Sequence, residues 1–151
     1  EIQGLGEQAV CVEQMTAKAC RKELQKIRET IGTVTEEPGV FFRIPGGEYN
    51  NEVLRTIYAC GSYPVAWSVD SMDWKEYEAS ELVRQLLQSC TIRDGEILRF
   101  HGEGENTGEM VKLLHPRLKE EGYEAVTVSQ MVYKDRYRMT TDGRQIPEKS
   151  K

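Results

Sequence analysis

Apolar residues near the start of the chain recur every three or four positions, a spacing typical of a helix. The segment begins at Thr16, whose hydroxyl suits an N-cap, and ends at Gly32. Its apolar side chains fall on one face of that helix. They are Cys20, Leu24, Ile27 and Ile31. The pattern therefore predicts an amphipathic helix whose apolar face packs against a core.

After this helix, short apolar runs alternate with longer stretches of helical spacing. A strand at 40–42 precedes the Pro45-Gly46-Gly47 breaker and a helix that Asn50 or Asn51 caps. A second strand at 65–67 precedes a polar loop at 68–74 and a helix. The apolar face of that helix consists of Leu82, Val83, Leu86 and Leu87. These are two consecutive strand–loop–helix units.

The third unit repeats this layout, and a final strand follows it. A strand at 97–101, a loop at 102–106 and a helix that ends at Gly122 make the unit. The run 125–128 reads as the last strand. The alternation predicts an α/β domain over 1–133 with mainly parallel strands, and a polar C-terminal tail over 134–151.

The loops that follow the three predicted strands carry most of the polar residues that could take part in binding or catalysis. They are 43–47, 70–74 and 101–106. In parallel α/β folds the carboxyl ends of the strands meet at one edge of the sheet, and binding sites form there. We therefore expect these three loops to converge on one site.

Composition and charge exclude several classes of function. The 151 residues are 38% hydrophobic and carry a formal net charge of -5, so a general attraction to nucleic acid is not expected. No apolar run approaches the roughly 20 residues of a membrane span, and no signal segment opens the chain. The four cysteines, Cys11, Cys20, Cys60 and Cys90, are too widely spaced for a zinc or redox motif. Their oxidation state stays open.

Three ordered motifs resemble those of the polysaccharide deacetylase family. Residues 42–50, Phe-Arg-Ile-Pro-Gly-Gly-Glu-Tyr-Asn, are similar to its Arg-x-Pro-Tyr-Gly motif. Residues 67–74, Trp-Ser-Val-Asp-Ser-Met-Asp-Trp, resemble its Trp-Ser-x-Asp-Ser-x-Asp-Trp stretch, and 94–101 resembles the family strand that ends in His. The resemblance covers most of the chain from Thr16 to Tyr133.

The resemblance implies a distorted (β/α) barrel that hydrolyses N-acetyl groups on glycans with a divalent metal, usually zinc. The metal activates water, while a carboxylate base and an acid complete the reaction. The family's first Asp-Asp strand has no counterpart here, so we expect an incomplete barrel that lacks its first strands. Such a barrel exposes strand edges, and we expect the chain either to pair with a second copy of itself or to form a shortened, rearranged sheet.

The metal motif of the family is also altered in this sequence. Residues 1–9 align with its Glu-Ile-Gly-Asn-His-x-x-x-His, and Leu5 and Ala9 stand where the two His ligands would be. Neither side chain can donate an electron pair, so we expect no metal cofactor in this chain. Glu1 and Glu7 are conceivable substitutes, although surface charge is the commoner explanation for such residues.

The resemblance assigns catalytic roles to four residues. His101 corresponds to the catalytic acid, and Arg43 to the arginine that orients the base. Because the base itself is absent, Asp70 or Asp73 would be the remaining partner of Arg43, with one of them orienting His101, and a structural ion pair is the alternative.

Three further residues are assigned to substrate binding by the same resemblance. Gly46 stands where the family has a Tyr whose backbone N–H helps to form the oxyanion hole. Arg99 replaces a Leu that lines the acetyl pocket. Trp74 is a candidate floor for a sugar ring, whereas we interpret Trp67 as a core residue of its strand.

Two functions follow from these expectations. The first is an impaired polysaccharide deacetylase, and the second is a catalytically inactive glycan-binding or scaffold module. A fragment without a function of its own is a third interpretation. The expected partner is an N-acetylated glycan, and the resemblance implies an extracellular or cell-surface location.

Overall fold

The computed structural model describes residues 2–5, 16–35, 39–102 and 104–148 of the chain. It confirms an α/β arrangement. The helices are α1 (Ala17–Val34), α2 (Asn51–Ala59), α3 (Ala79–Ser89), α4 (Thr107–Glu120) and α5 (Val128–Met131). The strands are β1 (Gly4–Leu5), β2 (Phe41–Arg43), β3 (Tyr63–Val65), β4 (Val69–Asp70), β5 (Leu98–Arg99), β6 (Tyr137–Met139) and β7 (Gln145–Pro147).

The described strands form three small sheets. β1, β2 and β3 lie side by side in a parallel sheet, in which Leu5 pairs with Arg43 and Arg43 pairs with Val65. β4 and β5 form a second parallel pair, in which Asp70 lies opposite Arg99. The parallel pairing confirms the expectation from the strand–loop–helix units, and the register aligns the polar strand ends.

Helices α1 and α2 cover the three-stranded sheet because each has one apolar stripe. The predicted face of α1 is buried, with Leu24 at 2% exposure, and it packs with Phe42 and Ile57 in one cluster. The caps are also as expected, since the Thr16 side chain accepts a hydrogen bond from the Ala19 N–H and Asn50 accepts one from Val53. Helices α3 and α4 form a second cluster around Val83, Met110 and Val69.

Trp67 and the residues after it differ from the sequence prediction. The strand ends at Val65, so the predicted strand 65–67 is wrong and Trp67 lies in the connection to β4, half-buried. The predicted polar loop 68–74 contains β4, because Val69 packs into the α3–α4 cluster. A strand of two residues shows no periodicity, which is why its sequence resembles a loop.

The predicted final strand 125–128 is wrong. Thr127 caps helix α5 instead, in a capping box. Its hydroxyl accepts a hydrogen bond from the Gln130 backbone N–H, and the Gln130 side chain accepts one from the Thr127 backbone N–H. Farther on, residues 137–147 form the antiparallel hairpin of β6 and β7 within the segment that we expected to be a polar tail. Arg144 of this hairpin pairs with Glu96 at 2.8 Å.

Among the described helices, none has the length and apolar character of a membrane-spanning segment.

Candidate functional site

Arg43, Asp70 and His101 lie around one mouth, as the convergence of the three loops predicts. The indole of Trp67 joins the two parallel sheets there, because guanidinium groups from both sheets lie over its ring. The guanidinium carbon of Arg99 is 4.0 Å from the ring centroid and that of Arg43 is 5.9 Å away. Arg43 ends β2, and Arg99 ends β5. Sequence reasoning alone assigns Trp67 to the core and therefore misses its place in the site.

Asp70, His101 and Arg99 form a connected polar cluster. The Asp70 carboxylate accepts a hydrogen bond from His101 Nε2 at 3.0 Å, and it lies 3.5 Å from Arg99 Nε. Arg99 Nη2 lies 3.2 Å from His101 Nδ1 and 3.1 Å from His101 Nε2, so the guanidinium group lies against the imidazole ring and is not directed at one nitrogen. The imidazole is therefore held between Asp70 and Arg99.

Asp70 is held in its ionised form by its neighbours. Burial raises the pKa of the carboxyl, but the Met72 N–H, the His101 side chain and the charge of Arg99 together outweigh burial and keep the pKa below its usual value. The Met72 N–H donates to Oδ1 at 3.0 Å, and Met72 adopts a positive φ of 55°. A non-glycine residue in that region marks a constrained turn, which here separates the two aspartates.

Asp73 differs from Asp70 in its hydrogen-bond partners, because it accepts from backbone N–H groups and not from the His101 imidazole. Its carboxylate is fully buried and accepts hydrogen bonds from the His101 N–H at 3.0 Å and the Gly102 N–H at 3.3 Å. The hydroxyls of Ser71 and Thr107 also donate to it. Asp73 therefore fastens the loop after β5 to the loop after β4, and Asp70 is the aspartate that contacts the imidazole. The sequence predicts the start of α4 at Thr107, but it does not predict the hydrogen bond from the Thr107 hydroxyl to Asp73.

Trp74 presents an open aromatic face beside this cluster. Its side chain is 56% exposed, and its ring lies edge-on to His101 with centroids 6.3 Å apart. The Lys75 ammonium is 5.8 Å from the Trp74 ring centroid. Asn106 holds the residues that follow Trp74 in the chain, since its side-chain amide donates to the Tyr77 carbonyl at 2.8 Å. Exposed indole beside polar groups is the arrangement that stacks on the C–H face of a sugar ring.

Gly46 lies in the 3₁₀ turn Pro45–Gly47, directly after Arg43. Its φ of 71° favours glycine over any residue with a Cβ, and a Cβ at this position would meet nothing within 4 Å. The next residue, Gly47, touches the site, because a Cβ there would come within 2.8 Å of the Trp67 ring.

One position that the resemblance assigns to a metal ligand lies at this mouth. Leu5, which the resemblance aligns with a His ligand, pairs with Arg43 at the end of β1, and its side chain has no donor atom. Across the described ranges, no three His, Cys, Asp or Glu side chains come together in a way that could hold a metal ion. Glu1, Glu7 and Ala9 lie outside the described residues.

Comparison with known proteins gives a consistent set of relatives, although no family model matches the chain. A peptidoglycan-N-acetylglucosamine deacetylase of Listeria monocytogenes is 30% identical over 121 residues, which are 78% of this chain and 25% of that protein. A Bacillus cereus peptidoglycan-N-acetylglucosamine deacetylase is 32% identical over 102 residues, covering 64% of this chain and 46% of its own length. The chain thus spans between a quarter and a half of these relatives.

One solved structure with the same fold is a CE4 family pseudoenzyme from Bacillus anthracis. It superimposes with a TM-score of 0.79 and 24% sequence identity, over 87% of this chain and 46% of that one.

Proposed function

Because this chain is related in sequence and in fold to the polysaccharide deacetylases, we propose that it binds an N-acetylated glycan and that its hydrolytic activity is impaired. The single observation that carries the binding part is the exposed face of Trp74 beside His101. A pyranose stacked on that face would bring its substituents to the polar cluster. The relatives, which are peptidoglycan-N-acetylglucosamine deacetylases, support an N-acetylated sugar as the ligand.

Two features support the impaired reaction. Leu5 supplies no ligand where the resemblance requires one. The imidazole of His101 is bonded to Asp70 through Nε2, and Arg99 Nη2 lies against the ring, 3.1–3.2 Å from both nitrogens. A leaving amine could therefore reach a ring nitrogen only after one of these contacts has opened. The residues at the mouth are thus arranged to hold a ligand more readily than to transform it.

We also propose that the two parallel sheets are parts of a distorted (β/α) barrel. Their polar ends meet at one mouth around Trp67, as barrel strands do at their carboxyl ends. The proposed ligand class agrees with a cell-surface or extracellular place of action. Pairing with a second copy of the chain stays a prediction, and sizing with light scattering tests it.

Binding is tested by titrating the protein with N,N′,N″,N‴-tetraacetylchitotetraose in a buffer that contains a chelator. We expect the fluorescence of Trp74 to change, and Trp67→Phe to keep that change because Trp74 is its source. Trp74→Ala should weaken binding about tenfold, the loss expected for one stacked aromatic ring. Tyr58→Ala is a matched control, since Tyr58 packs on Tyr63 at the opposite end of β3. Equal affinities for Trp74→Ala and wild type would contradict the proposed function.

Impaired hydrolysis is tested by measuring acetate release from the same oligosaccharide with added zinc or cobalt. We expect the rate to equal that of buffer containing the metal alone. A peptidoglycan deacetylase with an intact metal motif serves as the positive control. Metal-dependent release of acetate by this chain would overturn the impaired part of the proposal and leave the binding part standing.

A further inference from the structure

The loop that carries Trp74 exposes two further large side chains. Met72, Trp74 and Tyr77 are 40%, 56% and 53% exposed, and they lie within six residues of one another in the chain. Single apolar residues at a surface are ordinary, but several of them on one loop are typical of a binding surface. Because the ring of Trp74 lies beside that of His101, this surface adjoins the mouth of the site.

The turn that links Trp74 to Tyr77 is fixed by hydrogen bonds. The Lys75 N–H donates to the Met72 carbonyl at 3.0 Å, and the Tyr77 N–H donates to the Lys75 carbonyl at 2.9 Å. The Asn106 side-chain amide bridges the same turn, since it donates to the Tyr77 carbonyl at 2.8 Å and to the Lys75 carbonyl at 3.4 Å. The backbone of both aromatic residues is therefore ordered before a ligand binds, which lowers the entropy cost of binding.

The residues between the two aromatic side chains favour a sugar over a protein as the ligand. Lys75 and Glu76 separate Trp74 from Tyr77 in the sequence, and Glu76 is exposed. Lysine and glutamate are depleted at the centre of protein–protein interfaces, where their charges would lose water. A pyranose ring has an apolar C–H face and a rim of hydroxyl groups, so aromatic faces flanked by charged groups suit it.

Resting on the proposed function, we propose that Tyr77 is a second stacking platform, which binds another sugar ring of the same glycan while Trp74 holds the first. The three residue steps from Trp74 to Tyr77 span at most about 11 Å between Cα atoms. Linked rings of one oligosaccharide bridge such a distance. The ligand class is thus an extended N-acetylated oligosaccharide instead of a single sugar, and Tyr77 makes the site sensitive to the length of the ligand.

Ligand length tests this inference, with the fluorescence of Trp74 as the readout. The two ligands are methyl N-acetyl-β-D-glucosaminide, which has one ring, and N,N′,N″,N‴-tetraacetylchitotetraose. Each of four rings can occupy the Trp74 face, which alone gives a statistical gain of about fourfold. A second stacked ring should add about tenfold, so we expect the tetraose to bind about fortyfold more tightly than the monosaccharide.

Substitutions of Tyr77 then locate the second platform. Tyr77→Ala should reduce the ratio of the two affinities from about fortyfold to the statistical value of about fourfold. Tyr77→Phe should keep most of the ratio, because the ring that stacks is retained. Tyr58→Ala is the matched control, since Tyr58 is 43% exposed and packs on Tyr63, away from the mouth. Thermal unfolding of the variants verifies that each is folded.

The outcomes separate this inference from the proposed function. If neither ligand binds, the proposed function fails and the second platform with it. If the tetraose gains no more than the statistical factor in the wild type, the site ends at Trp74, so the proposed function stands and this inference is wrong. If the gain is large but Tyr77→Ala preserves it, other residues hold the further rings, and Tyr77 belongs to a surface for another ligand, such as a protein. A gain that Tyr77→Ala abolishes, and that Tyr77→Phe and Tyr58→Ala keep, supports the assignment.

Discussion

Asp73→Asn is expected to lower the free energy of unfolding by about 3 kcal/mol, a large fraction of the stability of a single domain. The Asp73 carboxylate is fully buried and accepts hydrogen bonds from two backbone N–H groups and two hydroxyls. An amide has one acceptor oxygen, and its NH₂ group would face donors that it cannot satisfy. Urea unfolding followed by circular dichroism measures the loss.

Asp94→Asn provides the matched control for this substitution. Asp94 is exposed in the turn before Gly95, a position at which aspartate and asparagine are equally suitable. The control should change the free energy of unfolding by no more than about 0.5 kcal/mol. If Asp73→Asn were as mild as the control, the role of Asp73 in fastening the two loops would be wrong.

The same carboxylate predicts how stability depends on pH. Burial raises the pKa of Asp73, but hydrogen bonds from Thr107, the His101 N–H, Ser71 and the Gly102 N–H outweigh it and lower the pKa from 3.8 to about 2. Because the folded pKa is below the unfolded one, the stabilisation is complete above about pH 4 and disappears as the pH falls towards 2. The shift corresponds to about 2 kcal/mol.

A comparison at two pH values isolates the contribution of Asp73. The difference in unfolding free energy between wild type and Asp73→Asn should shrink by about 2 kcal/mol between pH 5 and a pH near 2. Other carboxyl groups titrate in both proteins, so their effects cancel in the difference. A difference that stays constant over this range would mean that the pKa of Asp73 is not lowered in the folded protein.

Helices α1 to α4 could be predicted from the sequence, and the strands only in part. Leu24 and Ile27 recur at helical spacing because α1 buries one stripe, and Thr16 and Asn50 cap helices for a local chemical reason. The strands have two or three residues, too few to show an alternation. Thr127 illustrates the remaining error, since the run 125–128 that contains it is apolar enough for a strand, but local capping determines a helical turn.

The site was predictable to the extent that its residues follow strands in sequence. Arg43, Asp70 and His101 each lie at or just after the end of a strand, so parallel topology brings them to one mouth. The contacts between them were not predictable, because they depend on how two sheets approach each other. Trp67 shows this limit: apolar neighbours in the sequence indicated a core residue, while the fold places two guanidinium groups over its ring.

Gly104→Ala is expected to disrupt the mouth, because Gly104 lies against the backbone of the neighbouring loop. A Cβ at Gly104 would overlap the Asp73 carbonyl oxygen and come within 3.1 Å of the Asp73 carbonyl carbon and 3.6 Å of the Trp74 Cα. Backbone atoms cannot rotate away as a flexible side chain can, so one loop must move. We expect a destabilisation of about 1–3 kcal/mol, the range found for overpacked sites.

The loop that must move carries Trp74, so the same substitution should weaken glycan binding by more than about tenfold as the stacking face leaves its position. Gly108→Ala is the control, in the helix that follows. Gly108 lies in α4, and a Cβ there would meet nothing within 4 Å, so alanine should stabilise the helix by about 0.5–1 kcal/mol and leave binding unchanged. Thermal unfolding and the chitotetraose titration measure both effects. Both substitutions add the same methyl group. If Gly104→Ala lowers the free energy of unfolding while Gly108→Ala raises it, the difference arises from the close approach of the loops. If both raise it, Gly104 is not packed against Asp73.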